Sequence, residues 1–169
     1  DGIVAHIGFA NPFCTTLNDT IVKTAQRQNI PIHNGGTCVV IEGPQFSTRA
    51  ESDLYRKWGA SIIGMTALPE AKLAREAEIC YSTIEMVTDY DCWHDAEDTV
   101  SVEIIVANLT ENSKTAQRLI QELTSNISIT RDCECVSALK NAIITQQQIP
   151  NETLNRLSVI VNKYLDREY

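Results

Sequence analysis

Short runs of apolar, largely β-branched residues alternate with stretches of helical periodicity, and this alternation restricts the folds that the chain can adopt. The runs lie at residues 3–8, 37–41, 60–65 and 79–87, and their composition is typical of β-strands. When strands alternate with helices, each helix usually connects two parallel strands of one sheet. The sequence therefore predicts an α/β fold.

The stretches around these runs carry signals of amphipathic helices. Thr48 and Glu51 have the spacing of a capping box, which predicts a helix start at that point. Ser101 is the predicted cap of a long helix, because apolar residues recur every three to four positions after it. The predicted helices cover residues 15–29, residues 47–58, a stretch from Pro69 through Ala77, a long stretch from Val102 through Leu123, residues 134–146 and residues 151–166.

Length and charge exclude several classes of protein. The chain has 169 residues and is 43% apolar, which is enough for one domain with a core. Fourteen basic and twenty-two acidic side chains leave a net charge of -8 without any basic cluster, so we expect neither a nucleic-acid nor a membrane partner. No apolar run is long enough to span a bilayer, and no signal-peptide pattern is present. We predict a cytoplasmic protein that binds small molecules or other proteins.

Six cysteines are too widely spaced for a small disulfide scaffold, and most of them are predicted to be buried, reduced thiols. Cys133 and Cys135 form a C-x-C pair, which can bind a metal, carry redox chemistry or form a disulfide. No C-x-x-C pair or nearby histidine completes a zinc site in the sequence pattern. The sequence alone therefore predicts no metal.

Loops at the carboxyl ends of parallel strands are where open α/β sheets place their ligands. In the first of these loops, Gly43 and Pro44 form a tight turn before Phe46, which is either a core residue or an aromatic face for a planar ligand. In the second, Met65 offers a soft apolar surface, and the Thr66 hydroxyl lies near a helix start that could bind an anion.

The third loop contains two acidic residues, Asp89 and Asp91, separated by Tyr90. In an extended strand both carboxylates would point to the same side, where one of them could retain a proton. Such a pair can accept a hydrogen bond from an amine and share a proton with a ring nitrogen, as on the edge of adenine. The alternative is a solvated turn.

The order and spacing of these motifs resemble those of the nucleoside phosphorylases of the trimeric purine type. The matching stretches are residues 42–52, residues 64–66 with Pro69 and Glu70, and residues 88–93. The resemblance is good over residues 1–125. It implies a mixed central sheet flanked by helices, of which this chain is the carboxyl-terminal half. Residues 1–91 would carry the site loops, and residues 92–169 would form a helical part of the same domain.

The resemblance further implies phosphorolysis of 5'-methylthioadenosine. Phosphate attacks the anomeric carbon of the ribose as adenine leaves, and inorganic phosphate is a co-substrate, with no cofactor. The implied catalytic residues are Asp89, which would share a proton with purine N7, and Asp91. The other implied contacts are Phe46 to the base, Met65 to the ribose, Thr66 to phosphate and Thr88 to the adenine edge.

Three further positions have a structural alternative. Val102 and Ile105 match residues that wall the pocket for the 5' substituent in the family, although their periodicity suits core residues equally well. His6 resembles a residue that trimeric members give to the site of a neighbouring subunit, and it is equally well an ordinary strand histidine.

Family members also carry an amino-terminal half with a phosphate loop, which these residues do not supply. The resemblance therefore predicts a companion amino-terminal chain, a homotrimer of composite protomers, and no turnover by this chain alone. The alternatives are a phosphorylase of 6-oxopurine nucleosides or of methylthioinosine, and a non-catalytic partner half. Enzymes for 6-oxopurines usually have Asn where this chain has Asp89.

Overall fold

The computed structural model describes residues 2–93, 102–145 and 149–165 of the chain. The elements, in chain order, are α1 (Thr15–Arg27), β1 (Cys38–Val40), α2 (Arg49–Lys57), β2 (Ile62–Gly64), α3 (Ala67–Glu76), α4 (Val102–Asn126), a 3₁₀ helix (Glu134–Ser137) and α5 (Asn151–Val161). Helices and a parallel sheet confirm the α/β prediction. None of the helices within the described ranges has the length and apolar character needed to cross a membrane.

The sheet is organised by one β-α-β connection. Strands β1 and β2 pair in parallel, with Cys38 opposite Ile62 and Val40 opposite Gly64, and α2 lies between them in sequence. Beyond the ladder, the Ile41 N–H donates to the carbonyl of Gly64 at 2.9 Å, so both strands end at the same edge. The prediction that residues 37–41 and 60–65 form parallel strands is confirmed.

The chain divides into two compact units, each assembled from separate stretches of sequence. Unit 1 contains residues 2–17, Pro69–Ser82 and 128–165, and unit 2 contains Asn18–Leu68 and Thr83–Ile127. Buried residues of unit 1 include Cys14, Ala71, Cys135, Leu139, Ala142 and Val161. Those of unit 2 include Ile21, Ala25, Ile30, Ala67, Leu119 and Leu123. The predicted division of the chain at residue 91 stays a prediction.

Helix α2 begins with the predicted capping box. The Thr48 hydroxyl oxygen accepts the Glu51 N–H, and the Glu51 carboxylate accepts the Thr48 N–H at 2.7 Å. The box thereby satisfies two of the free N–H donors at the helix start. The box fixes the start of α2 and with it the position of Ser52, which is 1% exposed.

Two of the predicted strands do not form in the described residues. Residues 79–87 form no strand ladder, and residues 3–8 form only one antiparallel bridge, between Ala5 and Ile143. Exposure nevertheless alternates residue by residue from Gly2 to Phe9, as a two-residue period requires. The apolar pattern indicates a preference for an extended chain, but a strand also needs a neighbour to complete its ladder.

The predicted helix at residues 134–146 is also wrong. A 3₁₀ helix ends at Ser137, and turns continue to Ala142. The Glu78 carboxylate accepts the Leu139 N–H at 2.9 Å, and Asn141 has a φ of 64°. Because the Leu139 N–H donates to Glu78, it cannot form the hydrogen bond that an α-helix would require of it. The positive φ of Asn141 is also incompatible with a right-handed helix.

The other helices confirm their predictions in type and approximate extent. The start of α3 lies at Ala67, so that Pro69 occupies its first turn. Helix α4 runs over 25 residues from Val102, and α5 begins at Asn151. The predicted cap of α4, Ser101, lies outside the described residues.

Candidate functional site

The loops that follow β1 and β2 contact each other in unit 2. Gly43 has a φ of 70°, and a methyl group at this position would lie 2.7 Å from Sδ of Met65. The backbone conformation therefore favours glycine, and a methyl group at this position would require the thioether of Met65 to move. This contact brings together the first two of the predicted site loops.

Direct contacts also join the third loop to the same region. The carboxylate of Asp91 accepts a hydrogen bond from the Ser52 hydroxyl on α2. The Cys92 thiol lies 3.8 Å from the carbonyl oxygen of Ser47, within the loop that follows β1. The structure thus places the loops around Phe46, Met65 and Asp91 in one region of unit 2.

Asp89 and Asp91 differ in their surroundings. Asp89 is exposed, and its two oxygens accept hydrogen bonds from the Thr88 hydroxyl at 2.8 Å and from the Asp91 N–H at 2.9 Å. Asp91 is half-buried, has a φ of 64° and bonds to Ser52. The extended strand that would place both carboxylates on one side is therefore wrong, because the backbone turns at Asp91. Their proposed roles toward a purine stay predictions.

Helix α4 holds the third loop through two asparagines that the sequence analysis missed. The side-chain amide of Asn108 donates to the Thr88 carbonyl, and that of Asn112 donates to the Val87 carbonyl, both at 2.9 Å. Asn108 and Asn112 are four residues apart and so lie on one face of the helix. The sequence signal that could have identified them is a pair of side-chain amides four positions apart on one face of a predicted helix.

Of the two predicted pocket residues on α4, Ile105 has a described side chain and Val102 does not. Ile105 is half-buried, and it lies three residues before Asn108, on the helix face that contacts the third loop. Val102 is the first residue of α4, and its side chain lies outside the part of the structure that is described.

Phe46 is 85% exposed, so the alternative that it is a core residue is wrong. Its ring is accessible to a planar ligand. Thr66 is exposed and directly precedes Ala67, the first residue of α3, as expected for a hydroxyl beside a helix start.

Two aromatic residues extend the third loop. Trp93 stacks on the Arg56 guanidinium, whose carbon lies 3.7 Å from the ring centroid, and Tyr90 meets Trp93 edge to face at 6.4 Å. A cation over an indole face is stabilising. Arg56 therefore ties the end of the loop to α2.

His6 lies in unit 1 and is exposed. Its backbone N–H donates to the Ala142 carbonyl at 2.8 Å, beside the Ala5–Ile143 bridge. This bond fixes the backbone and leaves the imidazole accessible. The predicted role of His6 in the site of a neighbouring subunit stays a prediction.

A second group of reactive side chains lies within unit 1. The sulfur atoms of Cys14, Cys80, Cys133 and Cys135 all lie within 4.8 Å of one another. Burial and the neighbouring thiols raise the pKa of Cys80 to about 11 and that of Cys135 to about 12. Burial opposes ionisation of Cys133 as well, but hydrogen bonds from the Cys80 thiol and the Cys135 N–H outweigh it and lower its pKa.

The sequence model of the Phosphorylase superfamily matches residues 2–125. The chain therefore belongs to the Phosphorylase superfamily. The matched range contains every residue of the candidate site in unit 2.

Two curated relatives are similar to this chain over almost its whole length. A protein of Geobacter sulfurreducens named S-methyl-5'-thioadenosine phosphorylase is 51% identical over 166 residues, which are 98% of this chain and 58% of the relative. A protein of the same name from Koribacter versatilis is 47% identical over 169 residues, which are 99% of this chain and 58% of the relative. The chain thus spans a little over half the length of the curated relatives it matches.

Solved structures agree with these relatives. The crystal structure of a methylthioadenosine phosphorylase from an antarctic soil metagenomic library has a TM-score of 0.87 and 43% identity, covering 95% of this chain and 58% of that chain. Methylthioadenosine phosphorylase from Schistosoma mansoni in complex with adenine has a TM-score of 0.71 and 30% identity, covering 82% of this chain and 54% of that chain.

Proposed function

We propose that this chain carries the purine-binding part of an enzyme that cleaves S-methyl-5'-thioadenosine with inorganic phosphate. In this reaction an oxygen of phosphate bonds to the anomeric carbon of the ribose, and the carbon–nitrogen bond to adenine breaks. The products are adenine and 5-methylthioribose 1-phosphate. The departing base gains electron density and needs a proton or a hydrogen-bond donor on its ring.

The observation that carries this proposal is the meeting of three separate loops in unit 2. Gly43 approaches Met65, and Asp91 bonds to Ser52 on the helix that follows Phe46. These contacts bring an exposed aromatic ring, a thioether and two carboxylates into one region. An aromatic face beside acidic acceptors suits a purine with an exocyclic amine.

Asp89 is the proposed proton carrier for the purine. Its carboxylate already accepts two hydrogen bonds from within the loop, which fix its orientation, and each oxygen retains a further lone pair. A protonated Asp89 can donate to a ring nitrogen, while Asp91, held by Ser52, accepts from the exocyclic amine. The loop would therefore recognise the base and assist its departure.

Methylthioadenosine is the proposed substrate because the relatives at 51% and 47% identity are named for it. Thr66, beside the start of α3, is the proposed contact to phosphate. We further propose that the active assembly is a homotrimer in which an amino-terminal segment, in a companion chain or in the same polypeptide, completes the phosphate site.

Asp89→Asn tests this proposal. In the assembled enzyme, this variant should release adenine from methylthioadenosine roughly 10²- to 10⁴-fold more slowly, since an amide cannot transfer the proton. Phosphate affinity should change little. The measurement is phosphate-dependent adenine release under saturating phosphate.

Asp53→Asn is the matched control, because Asp53 is exposed on α2 and undergoes the same chemical change. It should retain the activity of the parent enzyme. Equal activity of the Asp89→Asn variant and the parent would contradict the proposed role of Asp89. Faster cleavage of methylthioinosine than of methylthioadenosine by the parent would contradict the proposed substrate.

A further inference from the structure

We propose that Cys14, Cys80, Cys133 and Cys135 bind one Zn²⁺ ion as four thiolate ligands. This cluster, which we call the four-cysteine site, lies within unit 1. The predicted purine and phosphate contacts around Phe46, Thr66 and Asp89 lie in unit 2. The inference is therefore independent of the proposed reaction.

The sulfur positions fit a tetrahedral ion. A zinc–sulfur bond of about 2.3 Å places the four sulfurs of a regular tetrahedron about 3.8 Å apart. All four sulfur atoms of the site lie within 4.8 Å of one another, and those of Cys80 and Cys133 are 3.3 Å apart. These separations lie on either side of the distance of about 3.8 Å that regular coordination needs.

The backbone fixes the stretches that carry the ligands. The Cys14 N–H donates to the carbonyl of Tyr81, next to Cys80, at 2.7 Å. Cys133 precedes the 3₁₀ helix, and Cys135 lies within it. The site therefore gathers residues from the start of α1, from the segment after α3 and from the 3₁₀ helix, all of which are held in place within unit 1.

Backbone N–H groups also face two of the sulfur atoms. Leu17 N–H lies 3.4 Å from the sulfur of Cys14, which directly precedes α1. The Cys135 N–H is directed at the sulfur of Cys133. Such donors stabilise metal-bound thiolates and orient them, and the amino end of a 13-residue helix favours negative charge on Cys14.

The ligand chemistry selects the ion. Four sulfur ligands without a carboxylate or imidazole disfavour Mg²⁺ and Ca²⁺, which prefer oxygen, and favour tetrahedral Zn²⁺. On binding, four thiols release four protons and each sulfur donates an electron pair to zinc, so the site acquires a net charge of minus two. Cys14 and Cys135 are 3% and 5% exposed, so the ion would be shielded from solvent, as in closed structural zinc sites.

The experiment measures metal in the full chain, purified from zinc-supplemented cells without chelators. We expect about one zinc per chain by elemental mass spectrometry. Replacement by Co²⁺ should produce the strong visible absorption and the sulfur-to-cobalt charge-transfer bands of a tetrahedral four-thiolate centre. Removal of the metal with a chelator should lower the melting temperature.

Two cysteine variants separate this site from unspecific thiol binding. The Cys133→Ser variant should bind little zinc and should lack the cobalt spectrum of a four-thiolate centre. Cys133 is chosen because it is half-buried, so that the buried Cys14 and Cys135 stay unchanged. Cys92→Ser is the matched control, since Cys92 is an exposed free thiol outside the cluster and its replacement should leave one zinc in place.

The proposal is overturned if the chain binds no zinc with all its thiols free. Disulfides among the four cysteines in place of the metal would also contradict the proposal. Intact mass detects them because each disulfide lowers the mass by two hydrogens, and a thiol titration then finds two fewer free thiols. A Cys133→Ser variant that does not fold would leave the cobalt titration of the parent chain as the deciding measurement. A cobalt spectrum with fewer than four sulfur ligands would then contradict the proposal.

Discussion

The Ser52 hydroxyl on α2 donates a hydrogen bond to the carboxylate of Asp91, and this contact joins the capped helix to the acidic loop. Ser52 is 1% exposed and Asp91 is half-buried. A shielded hydrogen bond to a charged group is stronger than one between neutral groups. The capping box at Thr48 thus influences the position of a proposed purine contact, because it fixes the start of the helix that carries Ser52.

Ser52→Ala should weaken the proposed reaction by removing this donor. Hydrogen bonds to charged groups contribute roughly 1.5–3 kcal/mol, so kcat/KM for methylthioadenosine should fall about 10- to 100-fold in the assembled enzyme. Ser125→Ala is the matched control, since the exposed Ser125 hydroxyl donates to the Gln121 carbonyl within α4. Unchanged kinetics of the Ser52→Ala variant would show that Asp91 needs no support from α2.

Asn108→Ala should loosen the third loop. The Asn108 amide donates to the Thr88 carbonyl, and an intramolecular hydrogen bond of this kind contributes about 1 kcal/mol. Amide hydrogen exchange at residues 88–91 should therefore become several-fold faster, while exchange in β1 and β2 stays unchanged.

Asn126→Ala serves as the control for this variant. Among the described residues, the Asn126 amide donates to the carbonyl and the carboxylate of Glu122, within α4 itself. The control should leave exchange at residues 88–91 as it is in the parent chain. If amide exchange at residues 88–91 is equally fast in the Asn108→Ala and Asn126→Ala variants, α4 does not hold the third loop through Asn108.

Local signals predicted the helices of this chain better than its strands. Thr48 and Glu51 identified the start of α2 because a capping box is formed by residues three positions apart. Residues 79–87 have the composition of a strand, but a strand needs a partner whose position local sequence does not encode. The predicted helix after Glu134 failed for a related reason, since Glu78, distant in sequence, takes the Leu139 N–H.

The candidate site shows the same limit. The order of the motifs along the chain predicted that the loops of Phe46, Met65 and Asp89 form one site. The structure shows that neighbouring residues of these loops contact each other. The two-residue period failed at Asp91, where a φ of 64° turns the backbone. Cys14 and Cys80 escaped notice as partners of the C-x-C pair, because metal motifs are recognised by short spacings and these residues meet only in the fold.

Lowering the pH should weaken the capping box of α2. Hydrogen bonds from the Thr48 N–H and then from the Thr48 hydroxyl lower the pKa of Glu51. A carboxyl whose pKa is lower in the folded chain stabilises the fold above its unfolded pKa of about 4.3, and this contribution is lost as the pH falls through the folded pKa.

The check is a side-chain NMR titration of Glu51, with the midpoint expected below the value in the unfolded chain. Glu51→Gln cannot titrate at this position, so hydrogen exchange in α2 should depend less on pH in that variant between about pH 3 and pH 5. A Glu51 midpoint at or above that of the unfolded chain would contradict this account.

Gly43→Ala should impair substrate binding more than Gly35→Ala does. Both glycines have a positive φ, 70° at Gly43 and 86° at Gly35, so alanine should cost about 1 kcal/mol of conformational energy at either position. At Gly43 the new methyl group would lie 2.7 Å from Sδ of Met65, whereas no atom of the described residues that are not its chain neighbours lies within 4 Å of a methyl group at Gly35. Because the flexible thioether can move aside, thermal unfolding should shift by similar amounts in the two variants. The displaced Met65 should then raise the KM for methylthioadenosine in the Gly43→Ala variant alone, and equal KM values in both variants would remove Met65 from the proposed binding surface.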